Sequence, residues 1–274
     1  MTWTIPDILI APVVRAALAE DLGRAGDVTA QACIDADARM TVEFAARRQG
    51  VVAGLACARL AMLELDPAAR FTELSADGET VGPGRALARV EGLARAILSA
   101  ERTALNLMGR LSGVATLTRA YVDAVAGTKA KITDTRKTTP GLRHLEKYAV
   151  RCGGGVNHRF GLDDAILIKD NHIAACGGLG PADGHLMKVE VEIDGLGQLE
   201  DALAHGPDVV LLDNFTPDQL REAVARTGGR AVLEASGGVN LETVAAIAAT
   251  GVDVISVGAL THSASVLDIG LDAA

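Results

Sequence analysis

From residue 131 onward, short runs of Val, Ile and Leu alternate with segments whose apolar residues recur at helical spacing. The runs at 131–135, 165–169, 188–192, 209–213, 231–235 and 254–257 read as strands. The segments at 142–150, 199–204, 217–226 and 241–249 read as helices between them. Near-continuous apolar strands that take turns with helices indicate a parallel sheet covered by helices. Six such units without a dinucleotide-binding glycine fingerprint favour a barrel or partial barrel over a doubly wound sheet. One unit is irregular. Between His172 and Lys188 the chain reads IAACGGLGPADGHLM, which leaves little room for a covering helix.

The first third carries a mixed pattern. Pro12 is placed to open a helix that runs to Gly23. Asp27 then sits where a helix cap or loop carboxylate is expected. Residues 40–46 alternate like a strand, 50–65 turn into a helix, and Gly and Pro between 77 and 92 separate short strands. From 93 to 126 the period is helical, with Ile97, Ala104, Met108, Leu111, Ala115 and Val122 on one stripe. Gly109 and Gly113 mark either a close crossing or a break in it. This helix is expected to bridge an α+β domain and the α/β domain.

Composition narrows the class. Of 274 residues 49% are hydrophobic but only 3% aromatic, so small aliphatic side chains must fill the core, as suits α/β layers. A formal charge of −9 argues against a nucleic-acid surface or an anionic membrane as partner. Cys33, Cys57, Cys152 and Cys176 form no C-x-x-C pair and are expected to be reduced thiols. No apolar run approaches the ~20 residues of a spanning helix, so a cytoplasmic protein is expected.

Against that acidic background the strand ends are unusual. In barrels the active site lies at the carboxyl ends of the strands. Those ends read Thr135-Arg136-Lys137, Lys169-Asp170-Asn171, Glu192, Asp213-Asn214, Glu234 to Ser236, and Ser256 to Gly258. Arg136, Lys137, His158, Arg159 and Lys169 offer cations for carboxylates or phosphates. Glu192 and Asp213 offer hard oxygens for Mg²⁺ or ribose hydroxyls. Ser236-Gly237-Gly238 and Ser256-Val257-Gly258 offer backbone amides where barrel phosphate sites recur. Lys188, Glu190 and Glu192 share one strand face and must be paired or at work if that face is internal. Arg143 and Lys147 read as a solvated or ion-paired helix face, His172 as a structural histidine, and His144, His185, His205 and His262 as surface residues. The residues alone point to a Mg²⁺-dependent enzyme for a phosphorylated sugar and a carboxylated partner. Phosphosugar lyases and isomerases stay open at this level.

The motifs go further. TRKTTPGLR at 135–143, GGG at 153–155, His158-Arg159 and KDNH at 169–172 resemble the quinolinate phosphoribosyltransferase family, the carboxylating nicotinate-nucleotide pyrophosphorylases. EDLG at 20–23, GDVT at 26–29, ERT at 101–103, VEVE at 189–192, LDNF at 212–215, EASGG at 234–238 and SVGALT at 256–261 extend the resemblance along the chain. Arg24-Ala25 is a small insertion in it. The resemblance implies a type II phosphoribosyltransferase-like fold. Its amino-terminal α/β sandwich would cover 1–110, completed by about 264–274, and its open α/β barrel 111–263. It also implies a homodimer, quinolinate and phosphoribosyl pyrophosphate as substrates, and Mg²⁺. By this resemblance Arg136, Lys137, His158, Arg159 and Lys169 line the quinolinate site, with Thr135 beside them, and Arg102 reaches in from the partner subunit. Glu192 and Asp213 hold ribose and Mg²⁺-pyrophosphate, Lys137 and Lys169 lie near the phosphates, and the turns at 236–238 and 256–258 bind the 5-phosphate. Lys137, Lys169, Glu192 and Asp213 are the expected catalytic groups. Lys169 and Asp134 speak against a molybdenum-uptake paralogue of the same fold, and the density of cations against a nicotinate phosphoribosyltransferase. The intact set from Arg102 to Asp213 speaks against a catalytically silent sensor or assembly protein.

Overall fold

The computed structural model of the chain describes residues 4–176 and 186–274. It resolves into two compact units, Met1–Arg119 with Thr138–Gly154 and Ser263–Ala274, and Ala120–Lys137 with Gly155–His262. Residues 138–154 therefore pack with the first unit, although they lie between two strands of the second.

The first unit holds α1 (Asp7–Leu22), α2 (Val28–Cys33), β1 (Arg39–Ala46), β2 (Gly50–Val51), α3 (Leu55–Leu65), β3 (Arg70–Glu73), β4 (Thr80–Val81), β5 (Ala86–Leu93) and most of α4 (Ala94–Ala124). Asp27 caps α2 by accepting the Ala30 N–H at 2.9 Å, as the sequence suggested. The helix α1 begins earlier than expected, and Pro12 lies inside it. The reason is the stripe Ile10, Val14 and Leu18, buried at four-residue spacing on both sides of Pro12, which outweighs the one hydrogen bond a proline withholds. In the main sheet of this unit β1 pairs antiparallel with β5, and β5 with β3. Val42 and Phe44 on β1 and Leu87 and Val90 on β5 are buried.

Helix α4 runs unbroken for 31 residues, so its glycines are crossing points and not a break. A Cβ on Gly113 would lie 2.0 Å from the Ser265 carbonyl oxygen, and one on Gly109 2.8 Å from the Val266 side chain. The Leu267 N–H donates to the Gly109 carbonyl at 3.0 Å, which fixes the incoming chain there. Gly153, at the end of α5 (Arg143–Cys152), makes a third close approach, its Cβ position 2.5 Å from the Ala115 carbonyl oxygen. On α5 a solvated or ion-paired face is expected at Arg143 and Lys147, and burial of Lys147 excludes the solvated alternative for it. Lys147 is fully buried, as is its neighbour Glu146, which Arg110 meets at 2.7 Å. Thr139 adds two hydrogen bonds to the same carboxylate, so the buried charge is compensated.

The second unit is a parallel sheet made by β6 (Lys131–Thr133), β7 (Ile166–Ile168), β8 (Val189–Ile193), β9 (Val209–Asp213), β10 (Val232–Ser236) and β11 (Val254–Ser256). The strands run in the order β6-β11-β10-β9-β8-β7. Beyond β6 a single parallel bridge joins Thr133 to Val156. The helices between the strands are α6 (Asp170–Cys176), α7 (Leu199–Ala204), α8 (Pro217–Thr227), α9 (Val244–Ala248) and α10 (Ala259–His262). In α8, Thr216 and Gln219 cap one another, and Gly228 ends it in the left-handed region at φ 55°. The Gly-rich segment expected to lack a full helix begins inside α6, and its residues 177–185 lie outside the described ones. Finally β12 (Ile269–Ala273) returns to the first unit and pairs antiparallel with β1, Phe44 facing Leu271. Cys33, Cys57 and Cys152 are free thiols, and no described helix is long and apolar enough to cross a membrane.

A methyl group at Gly113 has no space, whereas Gly82 faces open space at an ordinary φ. Gly113→Ala is therefore expected to lower the thermal midpoint by about 5 °C or more, from overpacking of roughly 2 kcal/mol. Gly82→Ala should leave it within about 2 °C. Equal midpoints for the two variants in calorimetry would contradict this account of the crossing.

Candidate active site

Because the sheet of the second unit is parallel, its carboxyl ends fall at one end of the unit. From edge to edge the strands deliver Arg136-Lys137 after β6, Ser256-Val257-Gly258 at β11, and Ser236-Gly237-Gly238 at β10. Asp213 follows on β9, then Glu192 on β8 and Lys169 after β7.

Turn geometry at these ends is specified locally. Asn214 takes the left-handed conformation at φ 57°, donates its N–H to the Ser236 carbonyl at 2.9 Å, and donates from Nδ2 to Asp213 Oδ2 at 2.7 Å. A Cβ on Gly237 would meet Asn214 Oδ1 at 2.1 Å, so only glycine fits this approach. Lys137 lies over Gly258, whose Cβ position is 3.2 Å from the lysine Cδ. The Thr261 hydroxyl donates to the Lys137 carbonyl at 2.8 Å, and the Lys137 N–H donates to the Thr135 hydroxyl at 3.0 Å. Lys169 Nζ pairs with Glu192 Oε2 at 2.5 Å, while His172 Nδ1 accepts the Lys169 N–H, the structural role expected of it. Lys188 pairs with Asp208 at 3.6 Å in solvent and takes no part in the interior.

Two guanidiniums dominate the electrostatics. Arg159 donates from one terminal nitrogen to the Ala165 carbonyl at 3.1 Å, yet its Nε is buried without a partner among the described residues. The Nε of Arg136 is buried in the same way. Burial, and then the charge of Arg136, lower the pKa of Arg159 below its ordinary value. Two like charges with buried, unpartnered donors have the chemistry to take up a compact polyanion. Arg102 lies exposed on α4, in the first unit.

Beneath these groups lies a set of carboxylates that the sequence reading did not treat as a site. Asp134 is fully buried and accepts from Asn157 Nδ2 at 2.5 Å and from the His158 N–H at 3.0 Å. His158 Nε2 faces Glu190 Oε2 at 3.0 Å and Glu234 Oε1 at 3.7 Å. One clue was present in sequence: Glu190 stands on the same face of β8 as Glu192. Its partners come from remote positions, so the cluster itself was not legible. His158, Glu190 and Glu234 approach within 4.8 Å of one another, close enough for a divalent ion. The imidazole argues against one. Its Nδ1 accepts the Arg159 N–H at 2.7 Å and so carries the lone pair, which leaves the proton on Nε2, where a metal would have to bind.

Glu234 is pushed up from 4.5 to about 7, first by burial and then by the charge of Glu190. A raised carboxyl stabilises the fold fully below its unfolded value, and that contribution is lost as pH rises through the folded value. Glu234→Gln keeps the shape without the proton. Its thermal midpoint relative to the parent protein should therefore rise by roughly 2–5 °C between pH 5 and pH 8. Parallel midpoint curves across that range would remove the raised carboxyl.

Comparison with known proteins agrees with this geometry. The family model described as "Quinolinate phosphoribosyl transferase, C-terminal domain" matches residues 114–272, and the one for the N-terminal domain matches 27–112. The "Nicotinate-nucleotide pyrophosphorylase [carboxylating]" of Mycobacterium leprae is 50% identical over 270 residues, covering 94% of this chain and 95% of that protein. A "Probable nicotinate-nucleotide pyrophosphorylase [carboxylating]" of Bacillus subtilis is 46% identical over 260 residues, covering 92% and 89%. The solved nicotinate-nucleotide pyrophosphorylase of Francisella tularensis superposes with a TM-score of 0.94 at 40% identity, covering 100% of this chain and 99% of that one. With both halves matched and the strand ends in place, the chain belongs to the quinolinate phosphoribosyltransferase family.

Proposed function

We propose that this protein transfers the phosphoribosyl group of phosphoribosyl pyrophosphate to quinolinate and decarboxylates the product, giving nicotinate mononucleotide, pyrophosphate and CO₂ in NAD biosynthesis. The observation that carries this reading is the pair Arg136 and Arg159, whose buried Nε atoms have no partner among the described residues. A pyridine dicarboxylate presents two adjacent carboxylates, and guanidinium forks match carboxylates best. The curated relatives named for the same reaction support it from sequence.

The chemistry asks for no protein nucleophile. The pyridine nitrogen attacks the anomeric carbon, and the carbon–oxygen bond to pyrophosphate breaks with its electron pair on the departing oxygen. Catalysis is then positioning plus stabilisation of charge. Arg136, Arg159 and Lys169, with Thr135 and His158 behind them, hold the ring in line. Lys137 and Lys169 offset the charge growing on pyrophosphate. Glu192 and Asp213 face the ribose, whose ring gains positive character, and the amides of 236–238 and 256–258 hold the 5-phosphate. When CO₂ leaves, the electron pair of the broken carbon–carbon bond stays on the ring carbon as a carbanion that the adjacent, now cationic ring nitrogen stabilises, and that carbon then takes a proton.

Glu192 and Asp213 also suit Mg²⁺ in donor chemistry, being hard, partly exposed carboxylates. Two carboxylates alone are a sparse set, and Glu192 already pairs with Lys169, so they would hold the ion together with pyrophosphate oxygens and water. Bound there, the ion would neutralise part of the pyrophosphate charge. The protein works as a cytoplasmic homodimer, with Arg102 completing the site of the other subunit.

Purified protein given quinolinate, phosphoribosyl pyrophosphate and Mg²⁺ should release CO₂ and form nicotinate mononucleotide in equal amounts. Turnover of nicotinate with none of quinolinate would overturn the assignment. Arg102→Ala and Lys169→Ala subunits, each expected to be inactive alone, should regain about a quarter of native activity when mixed and exchanged, since each hybrid dimer holds one intact site. No recovery after verified exchange would exclude the shared site.

A further inference from the structure

His158 stands beside the paired guanidiniums, yet neither of its ring nitrogens is left for a ligand. Nδ1 accepts the N–H of Arg159 at 2.7 Å, and Nε2 lies 3.0 Å from Glu190 Oε2. A nitrogen that accepts from a backbone N–H carries no proton, so the ring is the neutral tautomer that donates from Nε2. Glu190 is its receptor, a buried carboxylate 7% exposed, on the inward face of β8. On the other side Asp134, fully buried, takes the His158 N–H and the Asn157 side chain. The loop that carries Arg159 is thereby gripped from two directions.

We propose that Glu190 is a positioning residue: by receiving the Nε2 proton of His158 it fixes the tautomer whose Nδ1 holds the Arg159 main chain, and so sets the Arg159 guanidinium, while His158 itself does not touch the substrate. This deepens the functional reading above and rests on it only for the identity of the substrate. The arrangement explains why a charged residue sits inside the sheet, where burial is costly without compensation. It also separates the two neighbours in sequence: Arg159 binds, and His158 aims it.

Two measurements test this. In the native protein at pH 7, nitrogen-15 spectra of labelled histidine should show His158 protonated on Nε2 and bare on Nδ1, and Glu190→Ala should weaken that preference, leaving only the Arg159 N–H and the more distant Glu234 to hold it. A native His158 protonated on Nδ1 overturns the proposal whatever the substrate. In steady-state assays Glu190→Ala should raise KM for quinolinate about tenfold with kcat and the KM for phosphoribosyl pyrophosphate little changed. Glu190→Gln, whose amide oxygen can still accept the proton, should recover most of that loss. In a His158→Ala background Glu190→Ala should add nothing, because the route to Arg159 is already cut. Additive losses, or a uniform fall in kcat with stability, would mean Glu190 serves only the fold. If the tautomer behaves as described but quinolinate is not turned over, the substrate reading fails and the positioning arrangement stands.

Discussion

Arg136 and Arg159 carry like charges close enough that one lowers the pKa of the other, and each keeps a buried nitrogen without a partner among the described residues. A chain left to its own electrostatics would let such groups swing into water. Here they are held by rigid surroundings: strand ends, a loop tied to a buried aspartate, and a carbonyl under Arg159. Much of the second unit can be read as the scaffold that this opposition requires. On the functional reading proposed above, the cost in stability is met by charges already set for a polyanion, which need not be organised on binding.

The first unit solves a different problem with small residues. In a chain with only 3% aromatic residues large rings are too few to fill space, so this unit brings segments close together instead. Gly109, Gly113 and Gly153, having no side chains of their own, let neighbouring segments approach closely. Such contacts gain from dense packing, and at Gly113 a single added methyl meets a carbonyl oxygen instead of a movable side chain.

What the sequence disclosed follows from which interactions are local. Strand runs and the cap at Asp27 depend on neighbours within a few positions and are legible in the sequence; the mutual capping of Thr216 and Gln219 is equally local, although only the helix that follows it is marked there. The alignment of functional groups is legible too, because a parallel sheet places every strand end on one side once the alternation is recognised. The failures are non-local. Pro12 reads as an opening signal, because the stripe of Ile10, Val14 and Leu18 gains its meaning only from what it packs against. Lys147 reads as solvated or ion-paired, and nothing in its own heptad announces that helix α5 is enclosed on that face, which leaves no solvated position for it. Likewise the carboxylates under His158 come from β8, β10 and the residue after β6, positions that meet only once the sheet has formed.

The pairing of β12 with β1 has a consequence for how the molecule comes into being. The strand that flanks β1 on its second side is encoded after the whole of the other unit. During synthesis β1 must therefore wait with one edge exposed while more than half the chain is made, at the ~5–20 residues per second of a ribosome. Val42 and Phe44 sit on that waiting strand. The amino-terminal sheet begins first and finishes last, and the interval between is when the nascent chain has most need of a chaperone.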